Sequence, residues 1–380
     1  MRRLFDKTPL VITAQVAGGL ISDLAGNNSP HLANPEAPAP LAAKTPGKDA
    51  TPVFDAKEAK DNFAFTILPN LYEEAISAGR SHTEAMAQLR ILVPEPMDFT
   101  FFRHGNTTAL VVKDAEKSRI TVAFDGNGEF GDIVDNLKVW GKPHPLGGKT
   151  HSGFSDAIMS VDGSKRTLIN RVQDQVTLYA NDITGDDANS HRSSVDLHLT
   201  GFSRGGVLAT AAAAQCLAQG FPPENSNMKL SGLHTFGSPP LGDQEFIRNF
   251  EQAAHQHNIS HWRVIGGKDS MPFHITEDAG YRPRAILYAH PGNSAYILPG
   301  GDGSIDNSEQ VTVLINPSKK ELDAATRKLP NQEWHDFSAY DRLLDKAQQG
   351  KENLLADKTP NFAKPAQTEA QERFRMDFAP

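Results

Sequence analysis

The stretch GFSRGG, residues 201–206, decides how the middle of this chain is interpreted. It follows the apolar, strand-like run 195–199 and precedes an alanine-rich helical run, 207–217. A sharp turn from strand to helix strains the backbone at its centre, and Gly201 and Gly205 remove side chains that would clash there. The pattern therefore predicts a nucleophile elbow, with Ser203 at the point where the strand ends and the helix begins.

Strand-like and helical patterns alternate on both sides of this turn. The strand-like runs are 99–103, 109–113, 120–124, 195–199, 230–236, 262–265, 286–288, 295–298 and 311–315, and the helical patterns are 71–92, 168–179, 207–217, 245–256 and 336–348. Such alternation is typical of βαβ units, so we predict an α/β fold with a mostly parallel central sheet flanked by helices. One strand is unusual, because Asp196, His198 and Thr200 interrupt the run before Ser203, whereas a central parallel strand is normally apolar throughout.

The two ends of the chain differ in composition from its middle. Residues 1–54 form a leader and a proline-rich segment, with an apolar run at 10–21 that is too diluted by polar residues for a clear cleaved signal peptide. We expect residues 55–98 to be a helical region, 99–349 a hydrolase domain, and 350–380 a disordered tail. The location is left open between cytoplasmic and exported.

Composition excludes several classes of protein. The chain has 38 Lys and Arg against 46 Asp and Glu in 380 residues, a net charge of −8, which argues against a nucleic-acid partner. Its one cysteine, Cys216, excludes an internal disulfide and a cysteine-based zinc cluster. Without an apolar run of about 18 residues, no membrane span is predicted. Residues 301–306 lack the spacing of a calcium loop, so we expect neither a metal nor a cofactor.

Several motifs in order resemble those of the class 3 lipases, the fungal triacylglycerol lipase type of α/β hydrolase. GFSRGG resembles their elbow G-H-S-L-G-G, TFGSPPLG at 235–242 resembles T-F-G-x-P-x-x-G, and HSGF at 151–154 resembles H-x-G-F. VAFDGN at 122–127 stands where the family has an apolar strand that ends in R-G-T or R-G-S. The resemblance covers about residues 99–344 and implies an α/β-hydrolase fold.

The resemblance also implies a catalytic triad in the order serine, acid, histidine. Asp269 follows an apolar strand at the place of the family's D-x-V-P, and His335 resembles its late histidine, which precedes a tyrosine and a helix. His274 and His290 remain alternatives for the base, although His290 stands beside a strand and fits a structural role. We expect His151, which precedes Ser203, to pack beneath the site.

Three residues near the expected oxyanion hole depart from the family pattern: Asp125, Asn127 and Arg204. The resemblance assigns the donors to the Arg204 amide and to Asn127, whose side chain can donate a hydrogen bond. Asp125 replaces the usual arginine, and its carboxylate would oppose an oxyanion unless it is paired or points away. The Arg204 cation, where the family has leucine, predicts a preference for anionic substrates such as phospholipids. The alternative is a surface cation paired with a nearby carboxylate.

These features predict a serine carboxylic-ester hydrolase of lipase or phospholipase A type that works through a covalent acyl-enzyme. Its expected partners are a lipid or ester substrate and, transiently, a membrane surface. Residues 130–140 occupy the place of the family's lid, with an ordinary packed helix as the alternative. Two other functions stay open: an esterase for soluble esters, and an inactive hydrolase fold kept for binding.

Overall fold

The computed structural model describes residues 53–126, 141–161, 163, 165–185, 194–273, 290–306, 308, 310–349 and 352–356. The predicted strand at 286–288, the expected lid at 130–140, Asn127 and His274 lie outside these residues. Within them, no helix is both long enough and apolar enough to cross a membrane.

Eleven strands are found in this part of the chain. They are β1 (Asp98–His104), β2 (Thr107–Asp114), β3 (Arg119–Phe124), β4 (Gly141–Pro143), β5 (Lys149–His151), β6 (Val195–Phe202), β7 (Met228–Phe236), β8 (Ser260–Gly266), β9 (Asn293–Pro299), β10 (Val311–Ile315) and β11 (Glu352–Ala356). All except β4 and β5, which pair as a hairpin, form a single sheet in the order β1-β2-β3-β6-β7-β8-β9-β10-β11. The pairs from β3 to β9 are parallel, as is β10 with β11, which confirms the predicted mostly parallel sheet.

Helices cover both faces of this sheet. The nine described α-helices are α1 (Ala56–Phe65), α2 (Leu68–Ser77), α3 (His82–Arg90), α4 (Ser152–Met159), α5 (Leu168–Thr184), α6 (Arg204–Gln219), α7 (Gln244–Gln256), α8 (Lys319–Thr326) and α9 (Phe337–Gln348). One apolar cluster packs the four helices α4, α5, α6 and α7 against the sheet. A second cluster packs α1 and α9 against the sheet, and a third packs α2 and α3 against it. The helices before residue 99 therefore share the core of the sheet.

Two polar residues of β6, His198 and Thr200, are buried beneath polar groups of α1. His198 and Thr200 are 3% and 0% exposed. The Thr200 hydroxyl donates to the Asn62 carbonyl at 3.4 Å, and His198 Nδ1 lies 3.8 Å from Glu58 Oε1. Burial lowers the pKa of His198 to about 2, so its imidazole is neutral. The alternation that is unusual for a central strand thus marks the face that receives α1.

The single helix predicted over 71–92 is wrong, because two helices occupy this stretch. α2 ends at Ser77, and Gly79 follows with a φ of +85°, a left-handed conformation that suits glycine. Ser81 and Glu84 then form a capping box that begins α3. The serine and the glutamate three residues later were a readable start signal within the amphipathic pattern.

The prediction of a disordered tail from residue 350 onward is also wrong in part. Residues 352–356 form β11, whose backbone pairs in parallel with β10 from Val311 to Leu314. The stretch from residue 350 onward is rich in Lys, Glu, Asp, Gln and Pro and has no regular apolar period, so the sequence gives little sign of the strand within it. The strand forms by pairing with the backbone of β10 at the end of the sheet. A local sequence pattern does not reveal such a pairing between distant segments.

Phe63 of α1 is expected to be a large single contributor to stability. Its ring is fully buried and stacks on Phe337 at 4.3 Å, with edge contacts to Phe236 at 4.9 Å and Phe202 at 6.0 Å. Replacing a buried phenylalanine by alanine costs about 3–5 kcal/mol through lost burial and the cavity that remains. Phe63→Ala should lower the free energy of unfolding by that amount in urea titrations.

Val53, which is 75% exposed, offers a control for this substitution. Val53→Ala should change the free energy of unfolding by less than about 0.5 kcal/mol, as surface substitutions usually do. A loss below about 1 kcal/mol for Phe63→Ala would contradict the assigned role of α1, because it would mean that this helix adds little to the packed core.

Candidate active site

Ser203 lies in a strained turn between β6 and α6. Its φ of 55° and ψ of −125° are unusual for a residue with a side chain. A Cβ on Gly201 would lie 2.1 Å from the Gly205 carbonyl carbon, and a Cβ on Gly205 would lie 2.2 Å from the Phe124 carbonyl oxygen. Both positions therefore require glycine, and the turn has the strand-to-helix setting that the sequence predicts for it.

The structure brings the three predicted triad residues together. His335 Nε2 lies 2.8 Å from Ser203 Oγ, and His335 Nδ1 lies 2.9 Å from Asp269 Oδ2. Ser203 follows β6, Asp269 follows β8, and His335 precedes α9. Because β6 and β8 run in parallel within one sheet, their carboxyl ends meet at one edge, where sites of α/β proteins are found. This relay can move a proton from the serine hydroxyl to the imidazole while the carboxylate orients the ring.

Asp269 is held by two further donors. The Tyr340 hydroxyl donates to Oδ2 at 2.6 Å, and the Met271 amide donates to Oδ1 at 2.8 Å. The side chain of Asp269 is fully buried. Burial and the neighbouring Asp269 charge raise the pKa of Tyr340 well above its usual value, so this hydroxyl keeps its proton. Sequence reasoning did not assign Tyr340 to the site, although the tyrosine after the late histidine was visible.

Two residues shape the space around the imidazole. The Phe202 ring stacks on the ring of His335 with centroids 4.9 Å apart and an angle of 18° between the planes. Gly237 has a φ of +55°, and a Cβ there would lie 2.6 Å from Asp269 Oδ2. This glycine comes from the motif at 235–242, and its missing side chain makes room for the acid and the base.

The other histidines considered have structural contacts. His290 Nε2 donates to the Pro272 carbonyl at 2.7 Å, and burial lowers its pKa to about 3. His151 caps the start of α4, where its Nδ1 accepts from the Gly153 amide at 3.1 Å. Burial lowers the pKa of His151 to about 4, so both rings are neutral near pH 7.

Asp125 and Arg204 form a buried ion pair. Arg204 Nη1 lies 2.7 Å from Asp125 Oδ2, and the two side chains are 7% and 0% exposed. The expected alternative, an Arg204 cation paired with a nearby carboxylate, is confirmed in its pairing, but its location on the surface is wrong because both side chains are buried. The strand-to-helix turn brings the first residue of α6 against the end of β3, so residues 79 positions apart can pair. Burial raises the pKa of Asp125 to about 6, although Arg204 and the Thr108 amide act in the opposite direction.

The Arg204 amide lies at the N-terminus of α6, where the helix dipole favours negative charge. Gly126, at the exit of β3, donates its amide to Asn70 Oδ1 at 2.7 Å, and a Cβ on it would lie 2.7 Å from the Phe202 carbonyl oxygen. The chain that leads to Asn127 thus runs directly against the elbow. In the part of the chain that the structure describes, no group of three or more His, Cys, Asp or Glu side chains is arranged to hold a metal ion.

Comparison with known proteins supports the resemblance drawn from the motifs. Residues 121–278 match the model of the family described as Lipase (class 3). The resemblance to the class 3 lipases is confirmed. The class 3 lipase match covers less than half of the chain; it includes Ser203 and Asp269 and ends before His335.

A curated relative and two solved structures are also similar to this chain. The "Secreted mono- and diacylglycerol lipase 1" of Fusarium solani is 26% identical over 182 residues, which are 47% of this chain and 46% of that protein. The chain thus matches about half the length of this lipase. The native Rhizomucor miehei lipase propeptide complex has 19% identity, covers 77% of this chain and 80% of its own, and gives a TM-score of 0.45. The lipase from Rhizopus microsporus var. chinensis has 18% identity, covers 65% and 78%, and gives 0.43.

Proposed function

We propose that this protein is a serine carboxylic-ester hydrolase that acts on lipids. The observation that carries the proposal is the continuous relay from Ser203 Oγ through His335 to Asp269, with contacts of 2.8 and 2.9 Å. An activated serine in a strained elbow, at the N-terminus of a helix, suits attack on an acyl carbonyl. The match to the class 3 lipases supports the same chemistry.

In this mechanism His335 Nε2 takes the proton of the Ser203 hydroxyl while Oγ bonds to the acyl carbon. The carbonyl electrons move to oxygen, and the Arg204 amide and Asn127 hold this oxyanion. The intermediate collapses to an acyl-enzyme, and the leaving alkoxide takes the proton from His335. Water then attacks the acyl carbon and gives a proton to His335, which returns it to the Ser203 oxygen as the carboxylic acid leaves.

We propose mono- and diacylglycerols as the substrate class, and export from the cell as the location. Both rest on the secreted mono- and diacylglycerol lipase to which half of the chain is similar. The Arg204 cation gives no support to a preference for anionic phospholipids, because its charge is paired with the buried Asp125 carboxylate. Transient contact with a lipid surface follows from the substrate class.

Rates on aggregated and dissolved esters test the substrate class. The full chain is assayed on emulsified diolein, on phosphatidylcholine vesicles and on a short-chain p-nitrophenyl ester below and above its solubility limit. A lipase is expected to turn over diolein and to gain rate when the substrate aggregates. Hydrolysis of the dissolved ester alone would identify an esterase for soluble esters. Hydrolysis of phosphatidylcholine would favour a phospholipase.

A fluorophosphonate probe decides whether the protein is an enzyme at all. This reagent phosphonylates only a serine whose hydroxyl is activated. Labelling of the folded chain at Ser203 is expected. A folded chain that stays unlabelled and hydrolyses none of these esters would overturn the proposal in favour of a hydrolase fold kept for binding.

A further inference from the structure

The ion pair between Asp125 and Arg204 joins two segments that are far apart in the sequence and adjacent in the site. Asp125 is the residue directly after β3, and Arg204 directly follows Ser203. The guanidinium bonds to Asp125 Oδ2 at 2.7 Å, to Thr107 Oγ1 at 2.5 Å and to the Asn106 carbonyl at 3.3 Å. These contacts span the start of β2 and the end of β3, so one side chain ties the elbow to both strands.

The Asp125 carboxylate is fixed from its other side as well. Its Oδ1 accepts from the Thr108 amide at 2.8 Å, while the Asp125 amide donates to the Thr108 carbonyl at 3.0 Å. The Thr108 hydroxyl donates to Glu73, which also accepts from Arg103 Nε at 2.9 Å. The pair is therefore the inner end of a polar network that begins at the half-exposed Arg103.

The two backbone segments that the pair joins touch each other without intervening side chains. A Cβ on Gly205 would lie 2.2 Å from the Phe124 carbonyl oxygen, and one on Gly126 would lie 2.7 Å from the Phe202 carbonyl oxygen. The parallel pairing of β3 with β6 ends at Phe124 and Gly201, so Asp125 and Arg204 form their contact just beyond the last residues that this pairing aligns. A shift of about 1 Å in such a position can lower a reaction rate about 100-fold.

Stability alone does not explain a pair at this place. Removing two charges from water costs free energy that their attraction often fails to recover, and apolar pairs of similar size are commonly as stable or more stable. The contribution of the ion pair is therefore geometric, because the guanidinium donates in fixed directions and the carboxylate accepts at two oxygens. Such directional contacts fix a distance and an angle, which apolar packing does less well.

We propose that Asp125 and Arg204 are a positioning pair for the hydrolysis reaction. The pair holds Gly126, at the exit of β3, against the elbow, and so fixes the position of the Arg204 amide that the oxyanion requires. This inference rests on the proposed function. Neither side chain touches the substrate; both act through the backbone groups beside the acyl carbonyl.

The test replaces the pair by apolar residues of similar size. Asp125→Leu/Arg204→Met removes both charges together, so that no unpaired charge stays buried. On a dissolved p-nitrophenyl ester, kcat should fall about 100-fold with KM changed by less than about threefold, while the thermal midpoint is kept or raised. Arg204→Lys, which keeps the charge but loses the fork of donors, should recover part of kcat.

A matched control lies at the other end of the same strand. Arg119 begins β3 and pairs with Glu58 at 3.0 Å, with both side chains about a quarter exposed. Glu58→Leu/Arg119→Met should leave kcat within about threefold of the wild type, since it removes an ion pair away from the elbow. An equal loss of kcat in this control, or an unchanged kcat in Asp125→Leu/Arg204→Met, would overturn the proposal.

Amide hydrogen exchange gives a readout that does not depend on activity. Peptides covering 122–126 and 203–208 should exchange faster in Asp125→Leu/Arg204→Met than in the wild type, while peptides from β8 stay unchanged. If the wild type fails to react with a fluorophosphonate, the proposed function falls, and the exchange rates still decide whether the pair holds the two segments. Unchanged exchange at both segments would overturn the positioning role.

Discussion

Ser203→Ala and His335→Ala are each expected to lower kcat by a factor on the order of 10⁶, because the two side chains act as one unit in proton transfer and attack. The 2.8 Å contact between His335 Nε2 and Ser203 Oγ is the physical basis of that unit. Since either loss disables the other residue, Ser203→Ala/His335→Ala should lose little more than either single variant. Initial rates on a dissolved p-nitrophenyl ester and fluorophosphonate labelling measure both effects.

The chain offers its own control for these substitutions. His104 Nε2 and Ser160 Oγ form another hydrogen bond between a histidine and a serine, at 3.2 Å on the exposed surface. His104→Ala and Ser160→Ala should keep kcat and labelling within about twofold, because substitutions at exposed sites leave the fold largely unchanged. Labelling that persists in Ser203→Ala would contradict the assignment, as would losses in the two single variants that multiply in the double one.

The sequence predicts those parts of the site that depend on local patterns and chain order. The elbow could be found because glycines flank its serine in a short local pattern, although the contact that requires Gly205 comes from the Phe124 carbonyl oxygen of β3. Asp269 and His335 could be found because their surroundings resemble motifs of the class 3 lipases, whose triad order of serine, acid and histidine places both residues after Ser203. The same reasoning located most strands and helices, since their apolar periods are local properties.

Contacts between distant segments could not be predicted in this way. Asp125 and Arg204 each looked discordant alone, and only the packing of the elbow against β3 turns the two departures into a buried pair. The polar face of β6 is explained in the same manner by Glu58 and Asn62 on α1. In both cases the sequence does not show which distant segment packs against the residue in question. The periodicity of apolar residues describes only the local element.

The hydrogen bonds to Asp269 predict a large effect for Asp269→Asn. The carboxylate accepts from His335 Nδ1, the Tyr340 hydroxyl and the Met271 amide, so donors approach both of its oxygens. An asparagine has only one accepting oxygen, and its amide group would face a donor or favour the wrong tautomer of the imidazole. We expect kcat to fall by a factor of about 10⁴, with the fold unchanged by circular dichroism.

Asp243→Asn is the matched control for this change. Asp243 caps the start of α7, where its side chain accepts from the Phe246 amide at 2.9 Å, and asparagine caps helices about as well as aspartate. Asp243→Asn should keep kcat within about twofold of the wild type. The loss in Asp269→Asn can then be assigned to the Asp269 carboxylate rather than to the change from aspartate to asparagine in general. A loss below about tenfold in Asp269→Asn would mean that His335 keeps its orientation without the charge, since a correctly held tautomer needs only an acceptor at Nδ1. Asp269 would then serve only as the acceptor that orients His335, and the role assigned to its negative charge would be contradicted.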